Sequence, residues 1–159
     1  MGKNQEKTNV MRVLEQKKIP YESHNYLETG AISGLDVARV LGKDPDRAFK
    51  TLVTVGKSKE HYVFVVPVSK ELNLKKAAQS VGEKSIEMIK SKELLPLTGY
   101  VHGGCSPIGM KKQFVTTIDE SAGKYDRIMF SAGKIGYQVE VSLADLGKVI
   151  RFQMADIAE

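Results

Sequence analysis

Apolar positions recur along this chain with two different periods, and the switches between them mark its elements. Near the start, Val10, Val13, Leu14 and Lys17 keep helical spacing behind a Thr8 or Asn9 cap. Ile19-Pro20 stops that helix, because the residue before a proline is driven out of helical geometry. Tyr21 to Leu27 alternates weakly and reads as an extended edge segment. Ser33 to Leu41 carries Leu35, Val37, Ala38, Val40 and Leu41 and predicts a second helix, with Gly42 as its stop. Asp44-Pro45-Asp46 is a turn.

The period then changes. A strand begins around Phe49-Lys50-Thr51 and runs to Val55, and Tyr62 to Val68 is almost wholly apolar. Gly56 to Glu60 reads as the hairpin loop between them. Leu72 to Val81 predicts a third helix ended by Gly82, and Ile86 to Leu95 a short fourth one ended by Pro96. Phe114 to Ile118, Ile128 to Ser131 and Gln138 to Val141 predict strands, and Ser142 caps a last short helix through Leu146. Strands and helices mix without strict β-α-β alternation, which predicts an α+β class. With no internal repeat, low-complexity run or linker, the 159 residues fit one domain, 1–159.

Composition adds bounds rather than a function. A hydrophobic content of 42% is enough for a real core. No stretch is long and apolar enough to span a bilayer, and Met1 to Gln16 lacks the apolar centre of a signal peptide. One cysteine, Cys105, excludes an internal disulfide and fits a reducing cytoplasm. The net charge of +5 is compatible with RNA as a partner and equally with an ordinary soluble surface.

Several chemistries are excluded by missing parts. Gly56-Lys57-Ser58 imitates the end of a phosphate loop, but Thr51 stands where its first glycine belongs. No G-x-G-x-x-G follows a strand, which argues against a dinucleotide fold. His102 and Cys105 supply one pair of metal donors without a second, and His24 and His61 are isolated, so no metal or other cofactor is expected. Cys105 as a nucleophile needs a base beside it; a small residue filling a glycine turn is the commoner role.

Three segments remain as candidates. Lys50 lies among the core-like Phe49, Leu52 and Val53, so its ammonium emerges beside buried surface, where it favours an anionic partner. Gly103-Gly104-Cys105-Ser106-Pro107 forms a turn whose successive N–H groups can converge on a carbonyl oxygen. Ser131-Ala132-Gly133-Lys134-Ile135-Gly136 offers a hydroxyl and a second close backbone approach. Taken singly, a surface lysine and two hairpin turns explain these segments as well.

In their order and spacing the three segments resemble the YbaK/EbsC family of aminoacyl-tRNA deacylases, which is related to the editing domain of bacterial prolyl-tRNA synthetases. The likeness also covers Ile19-Pro20-Tyr21, His24-Asn25-Tyr26, Pro67-Val68, Leu72 to Ala78 and Gly99 to Gly109, nearly the whole chain. The branch it resembles is the YbaK type, acting on Cys-tRNA(Pro). The resemblance implies a mixed, mostly antiparallel sheet closed into a barrel-like core and flanked by helices. It implies Lys50 as the essential lysine, Gly103 to Pro107 as the loop that binds the aminoacyl group, and Tyr26, Thr51, Ser131 and Gly133 as further substrate-binding residues. It also implies that the substrate's own thiol is the nucleophile. A single domain of this size has little surface left to read a tRNA body, so tRNA choice is expected to come from a complex with prolyl-tRNA synthetase. Gln138 stands where that branch carries an aspartate. Two alternatives stay open: a deacylase for Ala-tRNA(Pro) or another small aminoacyl group using water, and a non-catalytic RNA-binding or regulatory module.

Overall fold

The computed structural model describes residues 7–159; the first six residues of the polar Met1–Gln16 stretch lie outside it. The helix α1 spans Asn9–Gln16, with the Thr8 hydroxyl accepting from the Met11 N–H and with Val10, Met11 and Leu14 turned into the core. An edge strand β1, Glu22–Asn25, follows, then α2, Gly34–Val40, capped by Ser33. Strands β2, Phe49–Gly56, and β3, His61–Pro67, pair antiparallel from Phe49 opposite Pro67 to Val55 opposite His61. Helix α3, Leu74–Val81, is capped by Asn73 and ended by Gly82 in left-handed geometry at φ 74°. Leu72, expected inside that helix, instead bridges Ala158 as extended backbone.

The segment expected as one helix over Ile86 to Leu95 divides in two. Ile86–Met88 is strand β4, paired with Thr54 to Gly56, and helix α4 starts only at Ser91. It also passes Pro96 and ends at Thr98. The proline costs the helix one backbone donor, and the chain leaves helical geometry at Gly99 before that loss is compounded. Strands β5, Val115–Asp119, β6, Ile128–Ser131, and β7, Tyr137–Val141, lie where the pattern puts them. The short helix α5, Leu143–Leu146, is capped by Ser142, and strand β8, Gln153–Ala155, is too short and exposed to carry a period.

The fold is α+β and its pairing mixed and mostly antiparallel, but the sheet is not a closed barrel. The strands form a three-stranded sheet, β1-β7-β6, and a five-stranded sheet, β4-β2-β3-β5-β8. Between them the ladder is reduced to a single bridge, Ala48 to Met129. The reason is local. Strand β2 has β3 along its whole length on one side, whereas on the other β4 reaches only Thr54 to Gly56. Residues 49–52 are left with an open edge between β4 and β6, the Val53 carbonyl accepting from the Ile89 N–H at 3.3 Å. Among the described residues, no helix is long and apolar enough to cross a membrane.

Candidate functional site

The break in the sheet is occupied by a cavity of about 780 Å³. All four residues of the open edge, Phe49, Lys50, Thr51 and Leu52, line it, with Val53 beside them. Its remaining walls come from Tyr26 and α2 on one side and from the β4–α4 connection on the other. Met129, Ser131, Ile135 and Gln138 complete it from the three-stranded sheet, and His102, Gly103 and Cys105 from the glycine turn. A volume of this size, mostly apolar with a few convergent polar groups, suits a small organic group.

Lys50 sits opposite Val66 in the ladder. Its side chain is 28% exposed, less desolvated than its apolar neighbours suggest, and its ammonium lies 3.4 Å from the Glu71 carboxylate. Thr51 is distinctive: its hydroxyl is buried and has no hydrogen-bond partner. A buried hydroxyl left unpaired costs free energy unless something else meets it, and Thr51 is among the residues that line the cavity. Tyr26 is 4% exposed and anchored by its N–H to the Gly136 carbonyl at 2.8 Å. The Ser131 hydroxyl accepts from the Gly133 N–H at 3.1 Å.

The two glycine turns pack on each other. A Cβ on Gly104 would stand 3.1 Å from the Ile135 nitrogen, a backbone atom that would have to give way, so glycine suits this close approach. The Gly104 N–H is taken by the Val101 carbonyl at 2.9 Å. Among the described residues, no protein acceptor meets the N–H groups of Gly103 or Cys105, the two turn residues that reach the cavity. Cys105 is buried, and burial pushes its thiol up to about 12, so it is a neutral thiol near pH 7.

Four expected site residues lie away from the cavity. Ser106 is fully buried and its hydroxyl accepts from the Ile108 N–H at 3.3 Å, a turn-forming contact. Pro107 is buried beside it. Gly104 backs the Lys134–Ile135 turn, and Gly133 faces Val10 and the Tyr100 ring, where a Cβ would come within 3.0 Å of both. These residues shape the turns rather than face the space between them.

Sequence reasoning passed over a charged group at the edge of this wall. His24 is not isolated: its Nε2 lies 2.5 Å from the buried Glu140 carboxylate, which also accepts from the Lys43 ammonium at 2.9 Å. Burial pushes the Glu140 carboxyl up, and the hydrogen bonds from Lys43 and His24 outweigh it, leaving it below its ordinary value. Glu22, His24 and Glu140 bring three donor atoms within 4.8 Å of one another. Lys43 on Glu140 and Arg127 on Glu22 at 3.3 Å already supply the positive charge there. The alternation of Gln138 and Glu140 with Tyr137, Val139 and Val141 was the available signal for a shared polar face.

Comparison with known proteins gives a consistent family. A model of the aminoacyl-tRNA editing domain matches residues 32–149. The chain is 46% identical over 156 residues to EbsC of Enterococcus faecalis, a protein named for Cys-tRNA(Pro)/Cys-tRNA(Cys) deacylation, covering 98% of this chain and 95% of that one. It is 34% identical over 84 residues to a proline–tRNA ligase of Pelobacter propionicus, covering 53% of this chain and 15% of the ligase. A solved structure described as a trans-editing enzyme for prolyl-tRNA synthetase superposes with a TM-score of 0.80 at 23% identity, covering 96% of this chain and 98% of that one, and so shares the fold.

Proposed function

The chain belongs to the aminoacyl-tRNA editing domain family, and from that premise we propose that it is a cytoplasmic deacylase that clears cysteine from mischarged tRNA(Pro), residues 1–159 forming one editing domain. The observation that carries the reading is that one cavity gathers a cation and polar groups with no partner of their own. Strand β2 contributes Lys50, weakly paired to the exposed Glu71, and Thr51 with its unpaired hydroxyl; the glycine turn contributes Gly103 and Cys105, whose N–H groups have no protein acceptor among the described residues. An aminoacyl ester has matching parts: an anionic nucleic-acid end, polar groups near the ester, and a carbonyl oxygen that gains charge on attack.

The division of labour follows. Lys50 holds the terminal phosphate or ribose region of the tRNA and fixes the ester against the turn. Donors of the Gly103–Cys105 kind, aimed where charge develops, are typically worth roughly 10²–10³ in rate. Tyr26, Thr51 and Ser131 bound the aminoacyl side chain. No protein nucleophile is assigned, since Cys105 holds its proton. The substrate supplies one: its thiol sulfur attacks its own carbonyl carbon, the C–S bond forms, the ester C–O bond breaks, and the thiol proton ends on the departing ribose oxygen. The products are a cyclic thiolactone and free tRNA. Selection of tRNA(Pro) comes from association with prolyl-tRNA synthetase, a reading supported by the ligase relative.

Deacylation of Cys-, Ser- and Ala-tRNA(Pro) by one preparation tests this. Serine differs from cysteine by a far weaker nucleophile, a distinction that pocket size makes poorly. The expected result is release from Cys-tRNA(Pro) with Ser-tRNA(Pro) slower by about 10²-fold or more. Equal rates on the two, or a preference for Ala-tRNA(Pro), identify water as the nucleophile and overturn the thiol mechanism.

A further inference from the structure

We propose that Glu71 is a built-in counter-ion that screens Lys50 from free anions and yields only to a substrate anchored elsewhere in the cavity. The inference rests on the reading of Lys50 as the anchor for the nucleic-acid end of the substrate. Among the described residues, Glu71 is the ion-pair partner of Lys50, at 3.4 Å, and it makes no other side-chain hydrogen bond or ion pair.

The two halves of Glu71 are held very differently. Its backbone is fixed, with its N–H donating to the Glu159 carbonyl at 3.1 Å and its carbonyl accepting from the Glu159 N–H at 2.9 Å. The Asn73 N–H bonds the Ile157 carbonyl at 2.8 Å, and the Asn73 amide reaches the Glu159 carboxylate at 3.1 Å. That segment is pinned in turn by Asp119 at the end of β5, which accepts from the N–H groups of Ile157 and Ala158 at 3.0 and 3.1 Å. The side chain, by contrast, is 79% exposed. A carboxylate on a fixed tether keeps a high effective concentration at the ammonium, so dilute free anions compete poorly. Being exposed, it leaves at little cost. An anionic group already placed by the rest of the cavity displaces it.

The test is a double-mutant cycle read by fluorescence anisotropy with an uncharged, CCA-ended acceptor-stem RNA, in wild type, Glu71→Gln, Lys50→Met and the double variant. Glu71→Gln should tighten binding by about two- to fivefold, the range of an exposed ion pair. In the Lys50→Met background the same substitution should change nothing. Inorganic phosphate should displace the RNA at lower concentration from Glu71→Gln than from wild type, and in turnover the change should fall in KM rather than kcat. Unchanged or weakened binding by Glu71→Gln overturns the proposal. So does an equal gain in both backgrounds, which would report general attraction of a polyanion. If Lys50→Met alone binds the RNA like wild type, the anchor reading of Lys50 fails, an outcome distinct from a failure of Glu71 beside a working Lys50.

Discussion

In the five-stranded sheet the central strand β3 buries Val63, Phe64, Val65 and Val66 completely, whereas in the three-stranded sheet β7 buries a carboxylate, Glu140, between His24 and Lys43. Both sheets wall the same cavity. The first carries Lys50 and Thr51 on a strand whose position rests on apolar packing, which is indifferent to pH near neutrality. The second holds its edge strand partly through ion pairs, whose worth changes with protonation. The side of the site that carries the charged anchor is thus the side least disturbed by solution conditions, and the side that completes the enclosure is the more easily tuned.

The sharpest way to break that contrast is to open a void in the apolar sheet. Phe64→Ala removes a fully buried ring and should cost about 3–5 kcal/mol, read as a lower denaturation midpoint at any pH between 5 and 8. Lys50→Ala should instead leave unfolding unchanged and reduce deacylation by about 10²-fold. Near wild-type turnover by a normally folded Lys50→Ala removes Lys50 from the mechanism.

Glu140→Gln addresses the ionic sheet and should cost about 2 kcal/mol at pH 7, since two charge-assisted hydrogen bonds are weakened. Its carboxyl lies below its ordinary value in the folded protein. The stability it contributes is therefore complete above the ordinary carboxyl range and is lost as pH falls through the lowered folded value. The gap between wild type and Glu140→Gln should close on acidification below about pH 4, in denaturation series at several pH values. A gap that is constant with pH would mean the pair contributes by packing alone. Smallest of all, Cys105→Ala should keep most of its turnover and lose about 1 kcal/mol of stability. Loss of activity in a folded Cys105→Ala, or a trapped acyl group on Cys105, would restore the thiol as nucleophile.

Legibility in the sequence followed the range of the interactions. Thr8 and Ser142 cap helices through contacts three residues away and were read directly, whereas the Asn73 cap was missed because the apolar Leu72 before it extended the helical pattern. The β2–β3 hairpin was read directly too. Lys50 and the two glycine turns stood out by their local pattern, Thr51 and Tyr26 only through the family resemblance, and the cavity brings residues of all of them together. What failed was long-range. Nothing local says that β4 stops short of Thr51, so the open edge and the unclosed sheet were invisible. Ser106 and Gly133 have the composition of ligand-binding turns, but the side on which a turn presents its atoms depends on what packs behind it, here Ile108, Val10 and Tyr100. Glu71 and Glu140 carry no local signal of their roles, because their partners are distant in sequence.

The pairing of β1 with β7 carries a consequence for how the molecule assembles. His24 and Glu140 meet across 116 residues of chain. Closing so long a loop must precede any reward from the contacts it allows, and pairings of this kind form late. The β2–β3 hairpin needs no such search. The cavity therefore acquires its apolar floor early and its ionic wall last. Under native conditions the order reverses: strand β1, four residues long and exposed along most of its length, is the first to part. Its amides at Glu22 to Asn25 exchange with solvent through that opening, long before those of β3 do.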